Sequence, residues 1–390
     1  MNNTLKDTQK QSSTPQIDLP EGVPALQTIY FYITEGCNLK CRHCWLAPQY
    51  DPKGSKYQNL SLEGFQSIIT QAKDMGLHSV KLTGGEPFLH PDITSMLEYV
   101  KQEELRVVVE SNGVLVTPDH AALLKSCKNP FISVSLDGAN AETHEWMRGV
   151  PGCFDAAIKG AEHLVDAGFK PQIIMALMKQ NVDQIEDVIH LAEDIGAGSV
   201  KFNIIQPTSR GKQLHEASEN LSVAEFIELG KWVEETLSKE TKLRLIFSHP
   251  MAFRSLHNLF GENSVGCGLC GIKRILGVIY DGSYALCGIG EAEPDLIFGH
   301  WKKDVLKDMW ITHPIINQIR EGLPDKLEGI CTKCIMKNIC LGSCVAQNYY
   351  QTKSLWSSFW FCEQAYEQGL FPTSRLKPQG ETVADEELII

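Results

Sequence analysis

Between residues 27 and 205, short runs of apolar and β-branched residues alternate with longer amphipathic stretches. This alternation restricts the fold more than any other feature of the chain. The spacing predicts strands at 28–34, 78–83, 105–110, 131–136, 171–177 and 199–205, and helices at 61–75, 91–102, 118–126, 153–168 and 183–195. Ser61 with Glu63 and Gly64 reads as a helix start and Gly76 as its stop, and Gly168 and Gly196 close later helices. Val/Ile-rich strands in βα order require a parallel sheet with right-handed crossovers. Six strands suit a partial barrel and fall short of the complete eight-stranded one, with a flat doubly wound sheet as the alternative. No G-x-G-x-x-G follows the first strand, so a dinucleotide site lacks support.

The thirteen cysteines add a second constraint. Cys37, Cys41 and Cys44 stand at C-x3-C-x2-C spacing directly after the first strand. Further cysteines cluster at 267–287 and 331–362. The first residues are polar without the apolar core of a signal peptide, and no long apolar run occurs. The sequence therefore predicts a cytoplasmic protein with no membrane span, in which clustered thiols serve metal or cluster sites rather than disulfides. Isolated Cys127 and Cys153 read as small buried hydrophobes. The net charge of −12, without a basic run, disfavours nucleic-acid binding.

In a β/α barrel the active site gathers where the strands end. Strand two is followed by Thr83-Gly84-Gly85-Glu86-Pro87, whose glycines permit close backbone approach to a ligand and whose glutamate can accept from an ammonium. Strand three runs into Glu110-Ser111-Asn112-Gly113, and strand four into Ser135-Leu136-Asp137-Gly138. Each loop alone is a common turn. Four at successive strand ends beside a cysteine loop point to a site. Thiolates hold iron–sulfur clusters, usually four per cluster, and three leave one iron open.

Cys37-x3-Cys41-x2-Cys44 together with Gly84-Gly85-Glu86 resembles the radical S-adenosylmethionine (SAM) enzymes over roughly residues 27–210. The resemblance implies a [4Fe–4S] cluster on the three cysteines, with the amino and carboxylate groups of SAM on the open iron. One-electron reduction then yields a 5′-deoxyadenosyl radical that removes hydrogen from a substrate C–H bond. It further implies that Gly84, Gly85 and Glu86 meet the SAM amino group and that Ser111, Asn112, Ser133 and Ser135 lie near its ribose and methionine ends. By the same resemblance Arg148 pairs with the SAM carboxylate and His43 lies near the adenine. A guanidinium suits that bidentate task; an exposed loop histidine is the plain alternative for His43.

The pattern Cys270-x11-Gly282-x4-Cys287, then Cys331-x2-Cys334-x5-Cys340-x3-Cys344 and Cys362, is similar to the SPASM extension of that family. It implies two auxiliary [4Fe–4S] clusters, Cys270, Cys287 and Cys344 with Cys267 completing the first, and Cys331, Cys334, Cys340 and Cys362 holding the second. A zinc ribbon is the alternative. Sulfatase-maturing members carry Asp directly after the cysteine matching Cys287; Gly288 stands here, which argues against formylglycine formation. Glu291 as a substitute base competes with a surface glutamate at the hairpin exit. Asp281-Gly282 predicts a type I′ hairpin turn.

The expected architecture is α/β: a flexible segment at 1–26, a partial (β/α)6 barrel at 27–210, a bridging helix and strand at 211–264, a cysteine-rich SPASM domain at 265–371 and a loose acidic tail at 372–390. The expected activity is hydrogen abstraction from a ribosomally made peptide, ending in a cross-link or another oxidised product. The stretch around Ser354–Cys362 looks like the maturases of SynChlorMet-type cassettes. Expected partners are the precursor peptide, a flavodoxin or ferredoxin-type electron donor, and a separate leader-binding protein, since no appended leader-capturing domain is evident. Epimerisation, with Cys153 at a helix start as hydrogen donor, tetrapyrrole-like cofactor biosynthesis, and a multi-cluster electron carrier are the competing readings.

Overall fold

The computed structural model describes residues 17–53, 56–261 and 270–378. Six parallel strands form where the alternation places them: β1 Thr28–Tyr32, β2 Ser79–Thr83, β3 Arg106–Ser111, β4 Lys128–Ser135, β5 Gln172–Leu177 and β6 Ser199–Ile204. Each pairs in parallel with the next, as right-handed βαβ units do. The helices between them bury one stripe against the sheet. In α1 (Leu62–Lys73) that stripe is Phe65, Ile68, Ile69 and Ala72. The Phe65 ring packs 4.6 Å from that of Phe31 on β1, a contact whose burial contributes about 2 kcal/mol. Ser61 caps the helix, its Oγ accepting from the Gly64 N–H at 3.1 Å.

The sheet does not stop at the expected domain limits. Strand β7 (Arg244–Phe247), expected only to bridge, pairs in parallel with β6. Strand β8 (Ile275–Val278), expected within a separate cysteine-rich domain, pairs in parallel with β1 on the other side. Antiparallel β9 (Ser283–Ala285) and β10 (Ile297–His300) follow it. One ten-stranded sheet of order β10-β9-β8-β1-β2-β3-β4-β5-β6-β7 results. The β8–β9 turn differs from the type I′ expectation. The Gly282 N–H donates to Ile279 O at 2.8 Å, the Ile279 N–H donates to Ser283 O, and only Gly282, at φ +91°, takes a positive φ. This is a tighter turn followed by a bulging glycine, which leaves Asp281 free to accept from Ser283.

Beyond β10 the chain is short helices packed over the open end of the barrel, including Val345–Thr352 and Trp360–Glu367. The segment 372–378 carries a short helix and a bridge from Leu376 to Cys334, so the tail is anchored at least that far. Residues 1–16 and 379–390 of the expected terminal segments, and Cys267, lie outside the described residues. Among the described residues no helix is long and apolar enough to cross a membrane.

Candidate active site

The loops after β1 to β4 meet at one end of the barrel and enclose a pocket of about 170 Å³. Its walls include Cys37, Cys41, His43, Cys44, Gly84, Gly85, Glu86, Ser111, Asn112, Ser135 and Arg148. Of the residues expected to contact SAM, only Ser133 lies elsewhere. It sits one layer down on β4, its Oγ 3.4 Å from Gln172 Oε1, because side chains two apart on a strand share a face but stand at different depths.

The two glycines line the pocket and also join two of its loops. A Cβ on Gly85 would stand 1.8 Å from the Gly36 carbonyl oxygen, and Gly84 has φ +126°. The Gly85 and Glu86 amides donate to the Thr34 and Gly36 carbonyls at 2.9 and 3.0 Å. The glycines thus let the second loop lie directly on the cysteine loop. The Glu86 carboxylate is also committed. It accepts from Ser111 Oγ at 2.8 Å, from the Asn112 N–H at 2.8 Å and from the Phe88 N–H at 3.1 Å. Burial pushes its carboxyl up to about 7, against the pull of the Asn112 N–H and the Ser111 hydroxyl. Asn112 in turn donates to Asn38 Oδ1 in the cysteine loop at 2.8 Å.

Behind the pocket wall Asp137, fully buried, organises two of the side chains expected at SAM. His43 Nε2 lies 2.7 Å from Asp137 Oδ2, and Arg148 Nε lies 2.7 Å from the same oxygen. The other oxygen accepts from the Ala176 N–H. Burial would raise the Asp137 carboxyl, but the Arg148 guanidinium and then His43 outweigh it and hold it well below the usual carboxylate range. Arg148 keeps an Nη1 contact of 3.5 Å to Cys41 Sγ. Arg148 ends the helix α4 (Ala141–Arg148), whose last carbonyls accept from Lys40 and Arg42 of the cysteine loop. Arg210 crosses the barrel to donate to the Cys41 and Pro48 carbonyls at 3.2 and 2.7 Å.

Beside this pocket, with Trp45 in both walls, lies a cavity of about 450 Å³. Lys201, Asn203, Gln206, Ser248, His249, Arg254, Cys287, Cys344 and Gln347 line it. Trp360 Nε1 donates to Gln206 Oε1 at 3.1 Å, and Trp360 also borders an outer groove of about 650 Å³. Between pocket and cavity Lys81 pairs with Glu110 at 2.6 Å and lies over the Tyr30 ring. Burial lowers the Lys201 ammonium, as does Lys81, while Glu110 opposes the shift.

Seven further cysteines form two groups. Cys270, Cys287 and Cys344 sit close enough that their charges interact. Cys331, Cys334, Cys340 and Cys362 surround a nearly closed hollow of about 20 Å³ walled by Ile330, Met336, Phe359 and Phe371. Burial raises the thiols of both groups and of Cys37 and Cys44, Cys44 to about 11 and Cys270 and Cys331 to about 12. Cys153 packs beneath the cysteine loop at 2% exposure. Burial lifts its thiol to about 12, in keeping with a small buried hydrophobe. Glu291 is half-buried beside Glu35 and Tyr280, outside the cavity wall, and burial raises it to about 7. At position 288 a Cβ would meet the Tyr32 ring at 2.3 Å. Glycine is the residue that fits there.

Residues 31–192 match the radical SAM superfamily. That match takes in Cys37, Cys41, Cys44, Gly84, Gly85, Glu86 and Arg148 of the pocket. The AdoMet-dependent heme synthase of Methanosarcina barkeri is 29% identical over 348 residues, which cover 84% of this chain and 93% of that one. The mycofactocin maturase MftC of Mycolicibacterium smegmatis is 27% identical over 92% of this chain and 88% of its own. Among solved structures, Streptococcus suis SuiB bound to S-adenosylmethionine superposes with a TM-score of 0.68 at 21% identity, covering 87% of this chain and 78% of SuiB. The anSMEcpe structure with bound AdoMet gives 0.65 at 18% identity over 88% and 95%. These likenesses establish the fold, a partial TIM-type barrel followed by a cysteine-rich region like that of SPASM structures.

Proposed function

We propose that this protein is a radical SAM enzyme that oxidatively modifies a ribosomally made peptide, forming a cross-link or a related product. The observation that carries this reading is the cavity between the SAM-side pocket and Cys287 and Cys344, bordered by Gln206, which Trp360 links to the outer groove. An extended chain could lie in the groove and send one residue inward. When bound, the SAM cluster supplies a reducing electron for SAM cleavage. Cys37, Cys41 and Cys44 would hold that cluster. Glu86 fixes the Ser111–Asn112 wall, Asp137 orients Arg148 toward Cys41, and Trp45 separates the SAM side from the substrate side.

Cys270, Cys287 and Cys344, with Cys267, would hold one auxiliary cluster, and Cys331, Cys334, Cys340 and Cys362 the other. Cys331, Cys334, Cys340 and Cys362 surround one hollow, an arrangement that suits four thiolates on a cluster. Buried thiols raised this far would bind as thiolates only beside strong positive charge, which iron provides. A flavodoxin or ferredoxin-type protein would deliver the electrons, and a separate leader-binding protein or direct docking would bring the peptide.

Tetrapyrrole modification is a second reading, favoured by heme synthases that match at 26–29% identity over 84–86% of this chain. Epimerisation loses support because Cys153 is sealed beneath the cysteine loop. Anaerobic reaction with a candidate precursor peptide, read by mass, tests the first reading. A loss of two hydrogens from the peptide supports it. An unchanged peptide alongside oxidation of an added porphyrin refutes it in favour of the second.

A further inference from the structure

Lys201 is out of place for a purely structural side chain. It is half-buried on β6, two residues before Asn203, so both stand on one face of the strand, and both line the cavity. The nearby carboxylate, Glu110, is already paired with Lys81 at 2.6 Å. Lys201 makes no ion pair or hydrogen bond with any described residue, and feels Glu110 and Lys81 only at longer range. Two ammonium groups therefore share one carboxylate beside a cavity. Of the other basic side chains on the wall, His249 and Arg254 face Glu234 at 3.2 and 3.8 Å. Asn203 Oδ1 accepts from Ser248 Oγ at 2.8 Å, which leaves its amide nitrogen to donate.

A half-buried ammonium that faces a cavity with no partner among the described residues is incompletely neutralised until something completes it. We propose that a substrate carboxylate does so: Lys201 anchors an anionic group of the substrate, with Asn203 as the neighbouring donor, and the substrate of this cavity is carboxylate-bearing. This rests on reading the cavity as the substrate site. The anchor would hold a carboxylate beside the Trp45 wall that separates cavity from SAM-side pocket, and so fix which carbon faces that pocket. An acidic peptide side chain and a porphyrin propionate share this chemistry.

Isothermal titration of the anaerobic, fully reconstituted enzyme with SAM separates these sources. One probe pair is an N-acetylated, C-amidated heptapeptide with central Glu against its Gln twin. The other is iron coproporphyrin III against its tetramethyl ester. In wild type at least one acid should bind about ten- to a hundredfold tighter than its neutral twin, the range expected for a hydrogen bond to a charged group. Lys201→Gln should abolish that preference and Lys201→Arg should retain most of it, with iron content and melting temperature of both variants confirming intact protein. The pair that discriminates identifies the source of the carboxylate. The proposal is overturned if neither acid is preferred, or if Lys201→Gln leaves the preference intact. The radical SAM reading stands or falls separately, on whether the wild-type enzyme with dithionite forms 5′-deoxyadenosine.

Discussion

The two ends of the cysteine inventory differ in what surrounds them. Cys37, Cys41 and Cys44 border a pocket whose wall is polar and charged, with Glu86, Ser111, Asn112, Arg148 and Arg210 in reach. Cys331, Cys334, Cys340 and Cys362 surround a hollow with almost no polar lining and almost no room. Thiols of the same kind thus border room for a second molecule at one end, and only a small apolar hollow at the other. A site that must exchange ligands needs groups to orient them and space to admit them. A site that only stores or passes an electron gains from apolar exclusion of solvent.

The contrast breaks most sharply at its open end. Cys41→Ala should lower 5′-deoxyadenosine formation with dithionite by more than ~10³-fold and remove about four irons per chain, measured by chromatography and iron assay. Retained cleavage would end the assignment of the first site.

The next effect is on stability, and its sign follows from Glu86. Its carboxyl stands near 7 in the fold against an ordinary 4.5. A raised value means that this stabilising term is complete below 4.5 and is lost as pH climbs through about 7. The shift corresponds to roughly 3 kcal/mol at 1.4 kcal/mol per unit. Urea midpoints of the apoprotein between pH 5 and 8 should fall, and Glu86→Gln should flatten that decline; an equal slope in both proteins would show that Glu86 is not its source.

At the closed end, Cys331→Ala should cost about four irons and lower substrate turnover roughly thirtyfold, about 2 kcal/mol, while 5′-deoxyadenosine still forms. If SAM cleavage vanished with it, the two ends would not be functionally distinct. The mildest change is Asp137→Asn, which leaves Arg148 without its charged partner. SAM should bind about tenfold more weakly, about 1.4 kcal/mol, by equilibrium dialysis, and unchanged affinity would make Asp137 a fold residue alone.

Where the sequence was legible, the reason was local. Val107 and Val109 or Ile173 and Met175 announce a buried strand by themselves, and a serine or glycine at a helix end speaks for its own backbone. Helix α4 was missed because Ala-Glu-Thr-His-Glu-Trp-Met-Arg carries little apolar periodicity. The pairing of β8 with β1 was illegible because a partner some 250 residues away leaves no local mark. The same divide runs through the site. Cysteines carry their chemistry in their identity and spacing. Asp137 sits among small turn-forming residues and looks like one of them, since its importance comes from His43, Arg148 and Ala176, all distant in sequence. Lys201 reads as one polar residue in a strand until Glu110 is seen to be taken.

The contact between Tyr32 and Gly288 has a historical consequence. An acidic group directly after Cys287 cannot be introduced by one codon change alone, because the ring already fills the space. A lineage acquiring it would first have to shrink the residue at position 32, at a cost in packing against its neighbours. The order of steps is imposed, and this chain stands on the side from which the second step is closed.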